Sequence, residues 1–174
     1  IEKENTRLKH QVERVLQMAR LDSEDIGLKK EMVDVHQIIH EAIKNSAGAL
    51  QEKNGSITCA LTAERHTIEA DKLHLTNVLY NLIDNAIKYC HNAPKIVIRT
   101  TDVSRHLLLE VQDNGIGISP ENQKYVFQKF YRVPTGNGHD VKGFGIGLNY
   151  VKSVVEAHKG NIRLASEPGD GRTF

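Results

Sequence analysis

The sequence predicts a mixed α/β domain that is preceded by an N-terminal helix. Two observations support this: apolar residues recur at helical spacing in long segments, and they alternate with polar residues in short segments. The long segments are residues 35–53, 72–89 and 146–158. The short segments are residues 56–62, 66–70, 95–101, 106–113 and 161–166. With 174 residues, the chain can form one such domain with a substantial core.

Residues 1–20 form the predicted N-terminal helix. Intervals of four and three positions alternate along its seam, which is typical of a coiled coil. The seam residues are Ile1, Asn5, Leu8, Val12, Val15 and Ala19. The seam ends near residue 21, because Asp22 occupies the next position. We therefore expect a helix of a dimer or bundle, with a single helix packed on its own domain as the alternative.

Capping signals set the limits of the later helices. Asn54-Gly55 ends the first long segment, and Asp71 is a suitable N-cap for the second. Ser119-Pro120 predicts the start of a short helix through residue 125, whereas glycines and few apolar residues predict a mobile loop over residues 134–142.

Composition excludes several classes of protein. The net charge of +1 offers no broad basic surface for nucleic acid, and no apolar run reaches the ~18 residues of a membrane span. Cys59 and Cys90 are expected to be packed thiols in a reducing compartment. His36 and His40 share a helical spacing, but no further ligands cluster near them. We expect a cytoplasmic piece of a longer protein, for example the cytoplasmic part of an inner-membrane sensor.

Asn81, Asn85 and Lys88 form a polar stripe on the helix of residues 72–89. At about 100° per residue, the three side chains fall within about 60° of one another, away from the apolar face. Amide oxygens can ligate Mg²⁺ without adding negative charge beside phosphates, and a lysine can neutralise phosphate oxygens. The stripe suits a metal-bound polyphosphate; the alternative is an ordinary amphipathic helix with a solvated polar edge.

Asp113 is the second candidate, because alternation places it on the apolar face of the strand over residues 106–113. A buried carboxylate needs a hydrogen-bond donor. The exocyclic amine of a purine would supply one, and Gly115 and Gly117 would let the backbone approach the ring. The alternative is an Asx hydrogen bond within a turn.

Glycines alternate in the segment Gly143-Phe-Gly-Ile-Gly-Leu148, where the last long helix is predicted to begin. Such a segment can point successive amides at an anion, and a helix N-terminus favours negative charge. It is not a dinucleotide fingerprint, since Leu148 replaces the third glycine, and no Gly-Lys-Ser/Thr of a P-loop follows. A flexible hinge is the alternative. Lys142 could contact phosphate or remain an exposed loop lysine.

Arg132 ends the segment Phe127-Gln-Lys-Phe-Tyr-Arg132, between Asp113 and the glycine-rich segment. A guanidinium beside a phosphate site can stabilise transferring charge. A solvated surface arginine is the alternative.

In their order along the chain, these segments resemble the N, G1, F and G2 boxes of sensor histidine kinase ATP-binding domains, a branch of the Bergerat-fold (GHKL) superfamily. The resemblance covers roughly residues 33–174 and implies a two-layer sandwich, with helices on one face of a mixed β-sheet. The last strand would be truncated. Residues 1–32 resemble the second helix of the dimerisation and histidine-phosphotransfer domain with its linker.

The resemblance implies a role for each candidate residue. Asn85 would be the Mg²⁺ ligand, and Asn81 and Lys88 would contact the phosphates of ATP. Asn81, Lys88 and Arg132 would be the catalytic residues. The other implied nucleotide contacts are Tyr89, Asp113, Gly115, Gly117, Lys142, Gly143, Phe144, Gly145, Gly147 and Leu148. Among these, Asp113 would read adenine, and the glycines of residues 143–147 would shape the hinge of the ATP lid.

The family's phosphoacceptor motif, His-Glu/Asp followed by Leu-Arg-Thr-Pro, is absent, because His40-Glu41 lacks that continuation. We therefore expect a protein-histidine kinase module that binds Mg-ATP and transfers the γ-phosphate to a histidine outside this chain. The implied partners are that histidine of the parent kinase, a downstream response regulator and a second copy in a homodimer, without nucleic acid.

Three alternatives stay open. ATPase switches of the gyrase, Hsp90 or MutL type place a glutamate one turn before the metal-binding asparagine, where this chain has Asn81. An amide cannot take a proton from water near neutral pH, so hydrolysis should be slow. An anti-sigma-type serine kinase would not need the seam in residues 1–20. A degenerate dimerisation module would not need the four motifs.

Overall fold

A five-stranded mixed sheet forms the main layer of the computed structural model, which describes residues 27–133 and 145–174. Its strands, in spatial order, are β2 (Ser56–Leu61), β4 (Lys95–Val103), β5 (His106–Asp113), β7 (Arg172–Thr173) and β6 (Ala165–Ser166). β2 runs parallel to β4, and the other neighbours are antiparallel. A separate antiparallel pair joins β1 (Glu31–Asp34) to β3 (Thr67–Ala70).

Helices cover one face of the large sheet, which gives the predicted two layers. They are α1 (Val35–Glu52), α2 (Lys72–Lys88), the short α3 (Pro120–Gln123) and α4 (Gly147–Ala157). α2 packs against both α1 and α4. Ile96, Ile98 and Thr100 of β4 are buried, and β5 buries its last inward residues, Val111 and Asp113. The fully buried apolar side chains include Ile38, Ile39, Leu79, Ile83, Ile96, Ile98, Val111, Val151 and Val154.

The predicted elements match the observed ones except at weak strands. The strand predicted over residues 161–166 is wrong for most of its length, because β7 offers only two residues for pairing, Arg172 and Thr173. β1 was not predicted, since its sequence Glu-Met-Val-Asp shows no alternation of apolar and polar residues. The predicted domain boundary between residues 32 and 33 falls within β1, and residues 1–26 lie outside the described part of the chain.

The two cysteines occupy different environments. Cys90 is buried, as predicted, with its Sγ 3.5 Å from Oδ1 of Asn114. Cys59 is exposed, so the prediction of a packed thiol is wrong for it. The reason is that β2 is an edge strand of the sheet, at the margin of the helical layer.

Asp71 joins the start of α2 to the end of α4. Its carboxylate accepts backbone hydrogen bonds from His74 (2.9 Å) and Lys29 (2.8 Å). Burial raises the pKa of this carboxyl, but the backbone hydrogen bonds from His74 and Lys29 and electrostatic attraction to nearby histidines together hold the pKa below its ordinary value. Nε2 of His158 accepts from the backbone amide of Asp71 at 2.9 Å, and its Nδ1 donates to the carbonyl of Val154 at 2.8 Å. The neutral tautomer of His158 fits both contacts.

Asp71→Ala should lower the free energy of unfolding at pH 7 by about 1–2 kcal/mol, because α2 loses its N-cap. The folded-state pKa of Asp71 is depressed below 3.8, so its contribution is present above about pH 4. That contribution is lost as the pH falls through the lowered pKa. Urea unfolding of wild type and variant across pH 2–7 measures the difference, with the exposed Asp170→Ala as control. If the difference in free energy of unfolding between wild type and Asp71→Ala stayed constant down to pH 2, the claim that an ionised Asp71 caps α2 would be contradicted.

Candidate functional site

The polar face of α2 lies beside the first residue of α4. A Cβ placed on Gly147 would lie 2.8 Å from Oδ1 of Asn81 and 3.8 Å from Nδ2 of Asn85. Asn81 is held in place because its Nδ2 donates to the carbonyl of Asn77 at 2.8 Å. Asn81, Asn85 and Gly147 are therefore neighbours, although Gly147 follows Asn85 by 62 positions in the sequence, and they meet at a point where a helix N-terminus favours negative charge.

Buried polar contacts fix α4 against α2. The hydroxyl of Tyr150 and Nδ1 of His74 lie 2.8 Å apart within hydrogen-bonding geometry. Burial raises the pKa of Tyr150 to about 12. The phenol therefore stays neutral at physiological pH. These contacts hold the first turn of α4 beside Asn81, and periodicity alone could not have identified them.

Lys88 is the last residue of the same helix and forms an ion pair with Asp84. Nζ of Lys88 is 2.5 Å from Oδ2 of Asp84, and both side chains are about one-third exposed or less, at 33% and 26%. The ammonium group is thus oriented along α2 and still reaches solvent. Its contact with phosphate stays a prediction.

Tyr89 is the C-cap of α2 and contacts the loop after β5. Its carbonyl accepts a hydrogen bond from the amide of Ile116 at 3.0 Å. A Cβ on Gly115 would lie 2.6 Å from that carbonyl oxygen, and a Cβ on Gly117, where φ is +69°, would lie 1.8 Å from the carbonyl oxygen of Glu167. The two glycines therefore allow close contact between backbone segments of the protein. The sequence had instead suggested that they allow the backbone to approach a base ring.

Asp113 is buried at the end of β5, with only 2% of its side chain exposed. Its Oδ1 accepts a hydrogen bond from the amide of Gly115 at 2.8 Å, so the Asx turn is present. The buried donor is Arg172, whose Nε lies 3.0 Å from Oδ2 and 3.3 Å from Oδ1 of Asp113. The two residues face each other across the β5–β7 pair.

Arg172 also contacts two further candidate residues. Its Nη2 donates to the carbonyl of Asn85 at 3.0 Å, and its Cζ lies 5.3 Å from the ring centroid of Tyr89. Only 4% of the Arg172 side chain is exposed. Sequence reasoning missed this residue: a charged residue in a strand-like segment was the only signal, and the register with β5 cannot be read from the sequence.

The remaining candidates lie around the gap in the described residues. Lys142, Gly143 and Phe144 lie outside the part of the chain that the structure describes. Gly145 has a φ of +70°, and a Cβ there would lie 2.7 Å from the carbonyl oxygen of Tyr131. Arg132, the next residue, is exposed, whereas Leu148 is partly buried against the core. Arg132 thus follows a segment that contacts the start of α4.

A second polar cluster, Asp34, His36 and His66, offers metal-ligating atoms within 4.8 Å of one another. His66 donates from Nδ1 to Oδ1 of Asp34 at 2.9 Å and thereby lowers the pKa of that carboxyl. The His36 and His66 rings are stacked, 4.2 Å apart and 10° from parallel. A metal bound through ring nitrogens lies in the plane of each ring, and nearly parallel planes share no such point. The cluster is instead a hydrogen-bonded N-cap of α1.

None of the helices within residues 27–133 and 145–174 is both long and apolar enough to cross a membrane.

Comparisons with known proteins identify the family to which the sequence is similar. The family model described as histidine kinase-, DNA gyrase B- and HSP90-like ATPase matches residues 70–174. Sensor protein RprX of Bacteroides fragilis is 47% identical over 176 aligned residues, covering 100% of this chain and 34% of that protein. This chain therefore spans about a third of the length of RprX.

Two solved structures are similar in fold. Full-length ShkA in complex with AMPPNP superposes with a TM-score of 0.81 at 26% identity, covering 99% of this chain and 35% of ShkA. Histidine kinase ThkA in complex with the response regulator TrrA superposes with a TM-score of 0.74 at 22% identity, covering 99% of this chain and 47% of ThkA.

Gly171→Ala should destabilise the fold far more than Gly169→Ala. Both glycines have positive φ, +81° and +87°, so alanine at either costs about 1–2 kcal/mol in left-handed backbone. At Gly171 the added Cβ would also lie 1.9 Å from the carbonyl oxygen of Asp113, whereas at Gly169 nothing lies within 4 Å. Overpacking should add about 1–3 kcal/mol or more at Gly171. Urea unfolding measures both losses, and equal losses would contradict this close contact.

Proposed function

Because this chain belongs to the histidine kinase-, DNA gyrase B- and HSP90-like ATPase family, we propose that it is the ATP-binding catalytic part of a two-component sensor histidine kinase. The observation that carries the proposal is the pairing of two neutral carboxamides, Asn81 and Asn85, beside the N-terminus of α4. The similarity to sensor protein RprX along the whole chain favours this branch of the family.

ATP would lie along the second half of α2. Asp113 and Tyr89 define a base end near the C-terminus of the helix, and Asn81 and Gly147 define a phosphate end. Residues 81 and 89 are separated by about 12 Å along the helix axis, at 1.5 Å per residue. One rigid helix would therefore position both ends of an extended nucleotide.

Mg²⁺ fits the residues at the phosphate end. Within the described part of the chain, the carboxamide of Asn85 makes no hydrogen bond, so its oxygen can act as a hard, neutral ligand. Mg²⁺ sites in nucleotide enzymes use few protein ligands and are completed by phosphate oxygens and water. When bound, the ion would supply charge neutralisation at the phosphates.

Phosphate transfer would depend on positioning and charge neutralisation. The N-terminus of α4, Lys88 and Arg132 would neutralise phosphate charge, and Asn81 would orient the phosphates. A neutral imidazole nitrogen is already nucleophilic, so attack on the γ-phosphorus needs no base from this chain. The acceptor histidine would belong to the parent kinase outside these residues.

The proposed partners follow from the same family. Residues 1–20 would form the dimerisation helix, and a response regulator would receive the phosphate. A solved structure shows the histidine kinase ThkA in complex with the response regulator TrrA. The domain would work in the cytoplasm, where ATP is available. The lid contacts of Lys142, Gly143 and Phe144 are part of this proposal.

An ATPase switch is the second candidate and makes a different kinetic prediction. It requires a group that activates water, and Asn81 offers only an amide oxygen near Gly147. A serine kinase would share the site but form an acid-stable phosphoester.

Transfer to histidine can be tested in trans. The chain is incubated with labelled Mg-ATP and a full-length parent kinase whose own ATP site is disabled. We expect label on the parent that is lost in acid and stable in alkali, which is typical of phosphohistidine. Acid-stable label would support a serine kinase, and steady ATP hydrolysis by the isolated chain would support an ATPase switch. Either result would refute the proposal.

Asn85→Ala should abolish the Mg²⁺-dependent part of nucleotide affinity, because the chain loses its metal-ligating amide. Titration calorimetry with AMPPNP in Mg²⁺ and in EDTA gives the ratio of the two affinities, which should fall to about one in the variant. The exposed Asn161→Ala serves as the matched control and should retain the wild-type ratio. An unchanged ratio in Asn85→Ala would refute the metal assignment.

A further inference from the structure

Arg172 lies at the base end of the proposed site, where no sequence motif assigned it a role. We propose that Arg172 is a positioning residue for base recognition: it holds the Asp113 carboxylate in the orientation that accepts a hydrogen bond from the amino group of adenine. This inference rests on the proposed function, because it requires that ATP binds with its base at Asp113.

Three contacts hold the guanidinium in one place. Its Nε donates to both carboxylate oxygens of Asp113, its Nη2 donates to the carbonyl of Asn85, and its plane lies near the ring of Tyr89. The carbonyl of Asn85 belongs to the last turn of α2, where the helix dipole favours a cation. A planar guanidinium can make these contacts together, whereas the compact ammonium of a lysine cannot.

Arg172 and adenine can share the same carboxylate. An ionised carboxylate offers about four lone-pair positions. Gly115 uses one on Oδ1, and a single N–H of Arg172 is divided between the two oxygens. Displacing Arg172 instead would leave a buried carboxylate without its charged partner, which is strongly unfavourable. The guanidinium therefore remains in place and orients the acceptor.

Strand pairing alone does not explain this side chain. The end of the chain is paired to β5 through the backbone, since the amides and carbonyls of Val111 and Phe174 exchange hydrogen bonds at 3.0 and 3.1 Å. The Arg172 side chain instead contacts three residues assigned to the nucleotide, Asp113, Asn85 and Tyr89. Its contacts are those of a residue that orders the base end of the site.

The test compares the dissociation constants of Mg-ATP and of purine riboside triphosphate, which lacks the 6-amino group. Wild type should prefer ATP by about tenfold or more, as expected for a hydrogen bond to a charged acceptor. Arg172→Met should bring this ratio near one, and Arg172→Lys should lower it at least about threefold, because lysine lacks the planar fork. The exposed Arg163→Met is the matched control and should keep the wild-type ratio.

The outcomes separate this inference from the proposed function. If wild type binds neither nucleotide, or binds both equally, the base site itself is refuted and this inference fails with it. If wild type prefers ATP and a folded Arg172 variant keeps the full preference while losing affinity for both ligands, Arg172 is only structural and this inference alone is overturned. Circular dichroism establishes folding, and if Arg172→Met does not fold, Arg172→Lys decides.

Discussion

The buried ion pair between Asp113 and Arg172 is the contact on which the arrangement of the site depends. Two charges this far from solvent are tolerated only as a pair with further hydrogen bonds, and Gly115 and the carbonyl of Asn85 supply those. The pair joins the two-residue β7 to β5, in which Asp113 and Arg172 are register partners. It also connects the sheet to the last turn of α2, so the second layer is anchored through the same guanidinium.

α2 carries the candidate residues Asn81 and Asn85, and contacts along its length hold them in place. Asp71 caps its N-terminus and is joined to His158 at the end of α4. His74 in its first turn contacts Tyr150 of α4, and Arg172 of β7 donates to the carbonyl of Asn85 in its last turn. These contacts fix the helix relative to α4 and β7, so Asn81 and Asn85 cannot shift along the axis without breaking them. Groups held on a rigid helix are better suited to orienting phosphates than groups on a loop, because less ordering accompanies binding.

Local patterns in the sequence predicted the features of the fold that depend on neighbouring residues in the chain. Helical periodicity placed the core face and the polar stripe of α2, and alternation along β5 placed Asp113 inside. Pairing between distant segments could not be predicted from local patterns. β1 pairs with β3, and the partner of Asp113 is Arg172, which is 59 residues away in the sequence. His66 beside His36 is a similar case, since 30 positions separate two rings that stack. The β1–β3 pair, the Asp113–Arg172 pair and the stacked histidine rings all depend on which strands pair and in which register, and local periodicity does not encode that.

The orientation of Asn81 bears on the choice between transfer and hydrolysis. Its Nδ2 is used by the carbonyl of Asn77, so its Oδ1 faces the start of α4. An amide oxygen there can accept a hydrogen bond from water but cannot remove a proton from it near neutral pH. Transfer to a neutral imidazole requires no such base. In the proposed kinase, an asparagine at this position would be compatible with phosphate transfer to histidine and would not supply the base that hydrolysis needs.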